Sequence, residues 1–274
     1  FFTTIANVSE IMPEKEKRYE GGKNEEVISR DRLHTEFDTA AYLRDFYTRV
    51  DDPAMQLVLT FLPNIAARIG NVESLLDFGA GPTIHVAVAF RNTANNIYLA
   101  DYLPQNREEL LRWLNHTARF DWSTTIKKIA TIEGLAWSNV QQMETDAHSK
   151  VRGVFHCDCF KRPSVNAPPS LLNKFDVVTT IFCIEYCCNT IDEYKSAVAN
   201  VAEQVKPGGF LMMGAILKET WCSFGGRKFT CLYIDEELVV STLRECGFLI
   251  DDPHSTCLFN HESILVLCSR KKVE

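Results

Sequence analysis

The chain lacks any apolar run near the 18 residues that a membrane-crossing helix needs, and its first residues show no positive segment leading into an apolar one. A soluble, cytoplasmic protein is therefore the expectation. The chain opens on Phe1, so residues are expected to precede it. A basic stripe is also missing: 29 Lys and Arg face 36 Asp and Glu, giving a net charge of −7. That field disfavours a nucleic-acid backbone as principal ligand, and Arg270-Lys-Lys272 is too short to reverse it. No Gly-Lys-Ser or Gly-Lys-Thr phosphate loop occurs. The full G-x-G-x-x-G is absent too, since Gly79-Ala-Gly-Pro-Thr-Ile84 ends in isoleucine. No repeat or low-complexity tract appears. None of the ten cysteines forms a C-x₂-C pair: Cys157-Asp-Cys159 is one residue tighter, and Cys187-Cys188 sends neighbouring side chains to different faces. Structural thiols with no bound metal are expected, because a chain this size needs no staples.

What is present is enough apolar residue, 46% of 274, for one large α/β domain. Residues 1–36 are charge-rich and read as a polar, loosely ordered arm; residues 37–274 read as a single domain. In Phe37 to Tyr47 the residues Tyr42, Phe46 and Tyr47 recur at helical spacing, as a core face or as an aromatic cover over a ligand. A second helix, Met55 to Ile69, completes a helical cover over 37–70. Strands at Ser74 to Phe78, Ile97 to Ala100, Val154 to Asp158, Phe175 to Ile184 and Phe210 to Met213 then alternate with helices at Thr83 to Phe90, Gln105 to Asn115, Ile191 to Val205 and Asp235 to Cys246. Lys206-Pro-Gly-Gly209 reads as a sharp turn, and Phe248 to Ile250 and Ile264 to Cys268 as the last strands. Residues 121–150 read as an insertion, with a strand over Thr125 to Ile132 and a polar-faced helix over Ala136 to His148. Such alternation predicts a mostly parallel sheet with ligands at the carboxyl ends of its strands.

Three of those strand ends carry groups suited to a nucleoside. Gly79 and Gly81 remove β-carbons that would block a ligand near the backbone. Asp101 ends the next strand about twenty residues on, where a carboxylate can accept both ribose hydroxyls. Asp158 ends the third and can accept from an adenine amine. Without a pyrophosphate seat, a nucleoside lacking phosphates fits best, and S-adenosylmethionine is such a ligand. Glu185 and Glu219 each follow an apolar strand by a few residues and are candidates for binding a substrate amine and handling its proton. Phe182 and Trp221 offer flat apolar walls.

These segments resemble the nicotinamide, phenylethanolamine and thioether/indolethylamine N-methyltransferase family. The resemblance runs from about Phe37 to Lys271, through Ala41-Tyr-Leu-Arg44, Leu76-Asp-Phe-Gly-Ala-Gly-Pro-Thr-Ile84, Asp101-Tyr102, Phe120-Asp-Trp-Ser123, His156-Cys-Asp158, Phe182-Cys-Ile-Glu185, Lys206-Pro-Gly-Gly-Phe210 and Gly214 to Trp221. It implies a class I methyltransferase fold, α/β and Rossmann-like, with a mostly parallel seven-stranded sheet flanked by helices. It also implies a monomer acting on a small molecule, with S-adenosylmethionine as methyl donor and S-adenosylhomocysteine as product. Carried over by position, it places Tyr42 and Tyr47 over the cofactor, and Gly79, Gly81 and Thr83 at its methionine portion. Asp101, Tyr102 and Asn106 fall around ribose, adenosine and carboxylate, Asp158 and Cys159 at the adenine edge, and Ile181 beside the sulfonium. His85 stands where the family commonly has tyrosine. For the substrate it implies Phe46, Phe182, Glu185, Glu219, Trp221 and Cys222, with both glutamates engaging an amine. The amide-recognising aspartate of nicotinamide-type members falls near Ala215. A phenylethanolamine-like or other primary amine is therefore the leading expectation, with nicotinamide or another pyridine as the alternative.

Overall fold

The computed structural model describes residues 26–273; the first 25 positions of the expected arm lie outside the described residues. Residues 26–36 depart from a loose arm. They form β1 (Val27–Ile28), a 3₁₀ turn at Arg30–Arg32 and α1 (Leu33–Glu36), with Ile28 buried. Helix α2 (Thr39–Tyr47) begins where the Asp38 carboxylate accepts from Ala41 N at 3.0 Å. Helix α3 (Pro53–Ile69) is started the same way by Asp52, with Pro53 in its first turn, and stops at Gly70, whose φ of 76° no side chain adopts cheaply.

The sheet strands that follow are β2 (Val72–Phe78), β3 (Ala94–Asp101), β4 (Val151–His156), β5 (Phe175–Ile181) and β6 (Val205–Ile216). Between them come α4 (His85–Phe90), α5 (Pro104–Leu114), α6 (Ser123–Ile132), α7 (Val140–Lys150), α8 (Ile184–Cys187) and α9 (Ile191–Ala202). The hairpin β7 (Trp221–Phe224) and β8 (Arg227–Thr230), then α10 (Glu236–Glu245), β9 (Thr256–His261) and β10 (Ile264–Arg270), complete the described chain. The seven-stranded sheet has the order β4-β3-β2-β5-β6-β10-β9, with β10 antiparallel to both of its neighbours and every other pairing parallel. Helices cover both faces, which is why β5 and β10 are buried along almost their whole length without alternation. One core lies under α3, α4, α6 and α7, the other under α8, α9 and α10. Chain order reverses between β2 and β5, the point where an open α/β sheet leaves a crevice at its carboxyl edge.

Three expectations need correction. Residues 123–132 are helical: Ile126, Ile129 and Ala130 share one face against the first core, and that packing overrides the β preference of the threonines and isoleucines. Phe248 makes a single bridge to Lys271, and the hairpin partner of β10 is β9, joined through Glu262 and Ser263, both at positive φ. Lys206 to Gly209 lies inside β6, where the register against β5 shifts between Phe175 and Val177 and Gly208 takes a φ of 75°.

A second, three-stranded sheet, β1-β8-β7, stands apart from the first. Its hairpin turns on Gly225 and Gly226, both at positive φ, as a two-residue primed turn demands. Strand β1 adds in parallel through Val27 opposite Lys228. Ile28, Phe224 and Phe229 form a small core of their own, with Leu33, Phe37, Tyr42 and Phe46 packed on it.

Candidate active site

A cavity of about 780 Å³ opens at the carboxyl edge of β2, β3 and β5 and runs beneath the small sheet. Its inner end is framed by the turn after β2. Gly79 N and Ala80 N both donate to Ala100 O at 2.9 Å, folding the turn across the end of β3. Gly79 has a φ of 73°, and a Cβ built there would lie 2.2 Å from Cys183 Sγ, so only glycine fits. Gly81 N donates to Asp101 Oδ2 at 2.8 Å, while Asp101 Oδ1 accepts from Leu103 N at 2.8 Å and from Asn106 Nδ2 at 3.2 Å. Burial outweighs those bonds and pushes the Asp101 carboxyl up to about 6. Asn106 in turn accepts from Thr39 Oγ1 at 2.9 Å, which ties α2 to the site.

The loop after β4 supplies Asp158, whose Oδ1 accepts from Phe160 N at 3.0 Å, and the buried Cys159. Tyr102 and Thr83 complete this end; Thr83 is buried and donates to Ala80 O at 2.7 Å, whereas Tyr102 is exposed. Helix α2 serves both purposes open at the sequence level. Leu43 and Tyr47 pack in the core, and Tyr42, Phe46 and Tyr47 line the cavity. Tyr47 Oη lies 3.4 Å from His85 Nδ1, and burial holds His85 down at about 3, so its imidazole is neutral.

Phe182, Glu219, Trp221 and Cys222 line the outer end of the cavity, and Ile181 lines it at the end of β5. Phe182 sits at a φ of 49°, a strained conformation for a bulky residue, held by Phe182 N donating to Gly214 O at 2.8 Å. Glu185 is the exception. It is 1% exposed, lies off the cavity wall, and its Oε1 accepts from Ile216 N at 2.9 Å. Burial pushes its carboxyl up to about 8. The expected pair of glutamates facing one ligand is thus reduced to Glu219, because the single turn of α8 rotates Glu185 toward the sheet and Tyr186 toward the cavity.

Tyr186, Phe224 and Arg30 also line the cavity without having been expected there. Trp221-Cys-Ser-Phe-Gly-Gly-Arg-Lys-Phe-Thr230 carries a readable signal, two aromatic stretches around Gly-Gly. Arg30 has none: it donates to Cys187 O and reaches Glu193 at 3.1 Å only because β1 docks on β8.

A family model described as the NNMT/PNMT/TEMT family matches residues 25–272. Nicotinamide N-methyltransferase of Caenorhabditis elegans is 35% identical over 244 residues, covering 86% of this chain and 89% of that protein. Indolethylamine N-methyltransferase of Oryctolagus cuniculus is 30% identical over 207 residues, 73% of this chain and 78% of that one. Magnesium protoporphyrin IX methyltransferase of Synechocystis PCC 6803, solved with bound SAM, shares the fold at a TM-score of 0.53 and 10% identity, over 89% of this chain and 95% of that one. A match spanning all but one of the described residues, on a class I sheet with a glycine turn and carboxylates at its strand ends, places the chain in the NNMT/PNMT/TEMT family of S-adenosylmethionine-dependent N-methyltransferases.

Proposed function

We propose that this protein methylates the ring nitrogen of nicotinamide or a close pyridine relative. The observation that carries the reading is the withdrawal of Glu185 from the cavity, which leaves an outer end walled mainly by flat side chains, Phe46, Phe182, Tyr186 and Trp221. The donor when bound supplies an electrophilic methyl whose S–C bond breaks as the N–C bond forms. A pyridine nitrogen already has its lone pair at neutral pH and releases no proton on methylation. A site with little acid–base machinery therefore suits it, and alignment is the main catalytic resource.

The inner end fits S-adenosylmethionine by its donor set. Asp101 and Asp158 disfavour a phosphate but accept from ribose hydroxyls and an adenine amine, and the cradle at Gly79 and Gly81 leaves room for the amino-acid end. Tyr42 and Tyr47 would cover that end, with Thr83, Tyr102, Asn106, Cys159 and Ile181 completing the seat. At the outer end the stacking walls would orient the ring. Tyr186 and Ser223 bring hydroxyl-bearing side chains to the same end, suited to a carboxamide where Ala215 cannot serve. The 35% identity to a nicotinamide N-methyltransferase supports this reading over the amine expected from sequence.

A primary amine keeps one favourable observation, Glu219 on the wall of the outer end. Comparing kcat/KM for nicotinamide, tryptamine and phenylethanolamine at pH 7 and pH 9 separates the two. Nicotinamide should lead at both, with Glu219→Gln lowering its kcat/KM less than about tenfold, below the roughly ten- to 150-fold of one lost charged hydrogen bond. An amine that leads at pH 9 and loses its advantage in Glu219→Gln would overturn the proposal.

A further inference from the structure

Two sulfurs unused by methyl transfer, those of Cys183 and Cys187, meet at the inner end of the cavity beside Cys159. Cys183 precedes the one-turn helix α8 and Cys187 ends it; their Sγ atoms are 4.0 Å apart, and Cys159, in the loop after β4, lines the same cavity. Cys159, Cys183 and Cys187 all line the cavity, and Cys183 Sγ is the atom that a side chain at Gly79 would strike. The other cavity-lining thiols are Cys157, buried in the floor, and Cys222, on β7 at the outer end.

We propose that Cys183 and Cys187 are an oxidisable dithiol, a modification site for hydroperoxides whose closure removes the seat of the cofactor. The dithiol stands on the sulfur geometry alone; the effect on the cofactor rests on the placement of S-adenosylmethionine given above.

Cys187 reacts first. The neighbouring Cys159 and Cys183 thiols, and the positive charge of Arg30, hold its thiol well below the usual cysteine range, and a thiolate is the nucleophile. Its sulfur attacks one peroxide oxygen: an S–O bond forms, the O–O bond breaks, sulfur loses two electrons, and the peroxide leaves as water or alcohol with the thiol proton. Cys183 sulfur then attacks the sulfenic sulfur, an S–S bond forms, and hydroxide departs with the Cys183 proton as water. The second step draws the two sulfurs from 4.0 Å to a bonded distance of about 2.0 Å. Any share of that movement taken by Cys183 draws its sulfur from its place against the Gly79 turn, and the floor beneath the cofactor changes shape. Reciprocally, a bound nucleoside covers the three thiols.

The test treats the reduced protein with one equivalent of hydrogen peroxide, with and without S-adenosylhomocysteine, and maps the peptides by mass spectrometry. A Cys183–Cys187 disulfide should form, be suppressed by S-adenosylhomocysteine, and be absent in Cys183→Ser and in Cys187→Ser. Calorimetry should show S-adenosylhomocysteine affinity falling at least tenfold in the oxidised wild type and returning with dithiothreitol. In Cys183→Ser, peroxide should leave the affinity where it stood before treatment. Oxidation that settles on other cysteines, or joins Cys159 to Cys187, overturns the dithiol. A disulfide that leaves the affinity unchanged overturns its control of the cofactor. Reduced protein that binds no S-adenosylhomocysteine overturns the placement of the cofactor and leaves the mapped disulfide as a separate result.

Discussion

At the inner end of the cavity, the polar groups around the glycine turn find most of their partners within about twenty residues: Asp101 is held by Gly81, Leu103 and Asn106, and Thr83 by Ala80. At the outer end the walls come from segments far apart in the chain, with Val27 paired to Lys228 and Phe37, Tyr42 and Phe46 packed on Phe224. The inner end belongs to the main sheet and is fixed before a ligand arrives. The outer end hangs on a small sheet whose own core is three buried residues. Few buried apolar contacts mean a low local opening free energy, which suits a surface that must admit and release a substrate.

Two glycines at nearly equal φ test that contrast most sharply. Gly79→Ala carries both the cost of a side chain at φ 73° and a Cβ placed 2.2 Å from Cys183 Sγ. Gly226→Ala, at φ 72°, has nothing within 4 Å. The first should weaken S-adenosylhomocysteine by about 3 kcal/mol or more, at least about a hundredfold. The second should leave that affinity within about twofold and change only KM for the methyl acceptor. Equal effects on cofactor affinity would show that the two ends are not built independently.

Asp101→Ala comes next, at roughly 1.5–3 kcal/mol of S-adenosylhomocysteine affinity, about ten- to 150-fold. Its titration adds a direction. Burial raises this carboxyl to about 6, and the binding form is the ionised one, so affinity should be full above pH 6 and fall as pH drops through it. Asp101→Asn should lack that acid limb. An unchanged pH profile in the variant would remove Asp101 from the cofactor seat.

The same contrast sets what was legible in the sequence. Strand ends, a glycine turn and a carboxylate twenty residues later are local patterns, so Gly79, Asp101 and Asp158 can be picked out from sequence, and all three line one cavity. Alternating β and α segments gave the parallel sheet for the same reason. Where tertiary packing decides, the pattern failed. Ser123 to Ile132 turned helical against the first core, β1 docked on a strand two hundred residues away, and α8 aimed Glu185 inward because one turn of helix separates its face from that of Tyr186. The Gly-Gly hairpin is readable in Trp221 to Thr230, but nothing local says that it closes over a cavity.

Glu185→Gln should have the smallest effect on turnover and a stability signature of its own. Glutamine keeps the oxygen that accepts from Ile216 N, so the loop after β6 stays in place. The carboxyl is raised from its usual value to about 8, so the folded protein binds a proton that the unfolded chain releases. The stability this contributes is complete below the unfolded value and is lost as pH rises through about 8. Asp77, raised to about 7 by burial, has the same sign, and its slope remains in the variant. Wild-type Tm should therefore fall between pH 6 and 9, and Glu185→Gln should fall less, ending higher at pH 9 by a few degrees, on the order of 1 kcal/mol. Nicotinamide kcat/KM should stay within about threefold, because a carboxyl bonded to the sheet and absent from the cavity wall neither touches the substrate nor takes its proton. A loss beyond about a hundredfold with an unchanged Tm profile would put Glu185 at the reacting nitrogen, reached by an opening of α8, and would return the amine reading to first place.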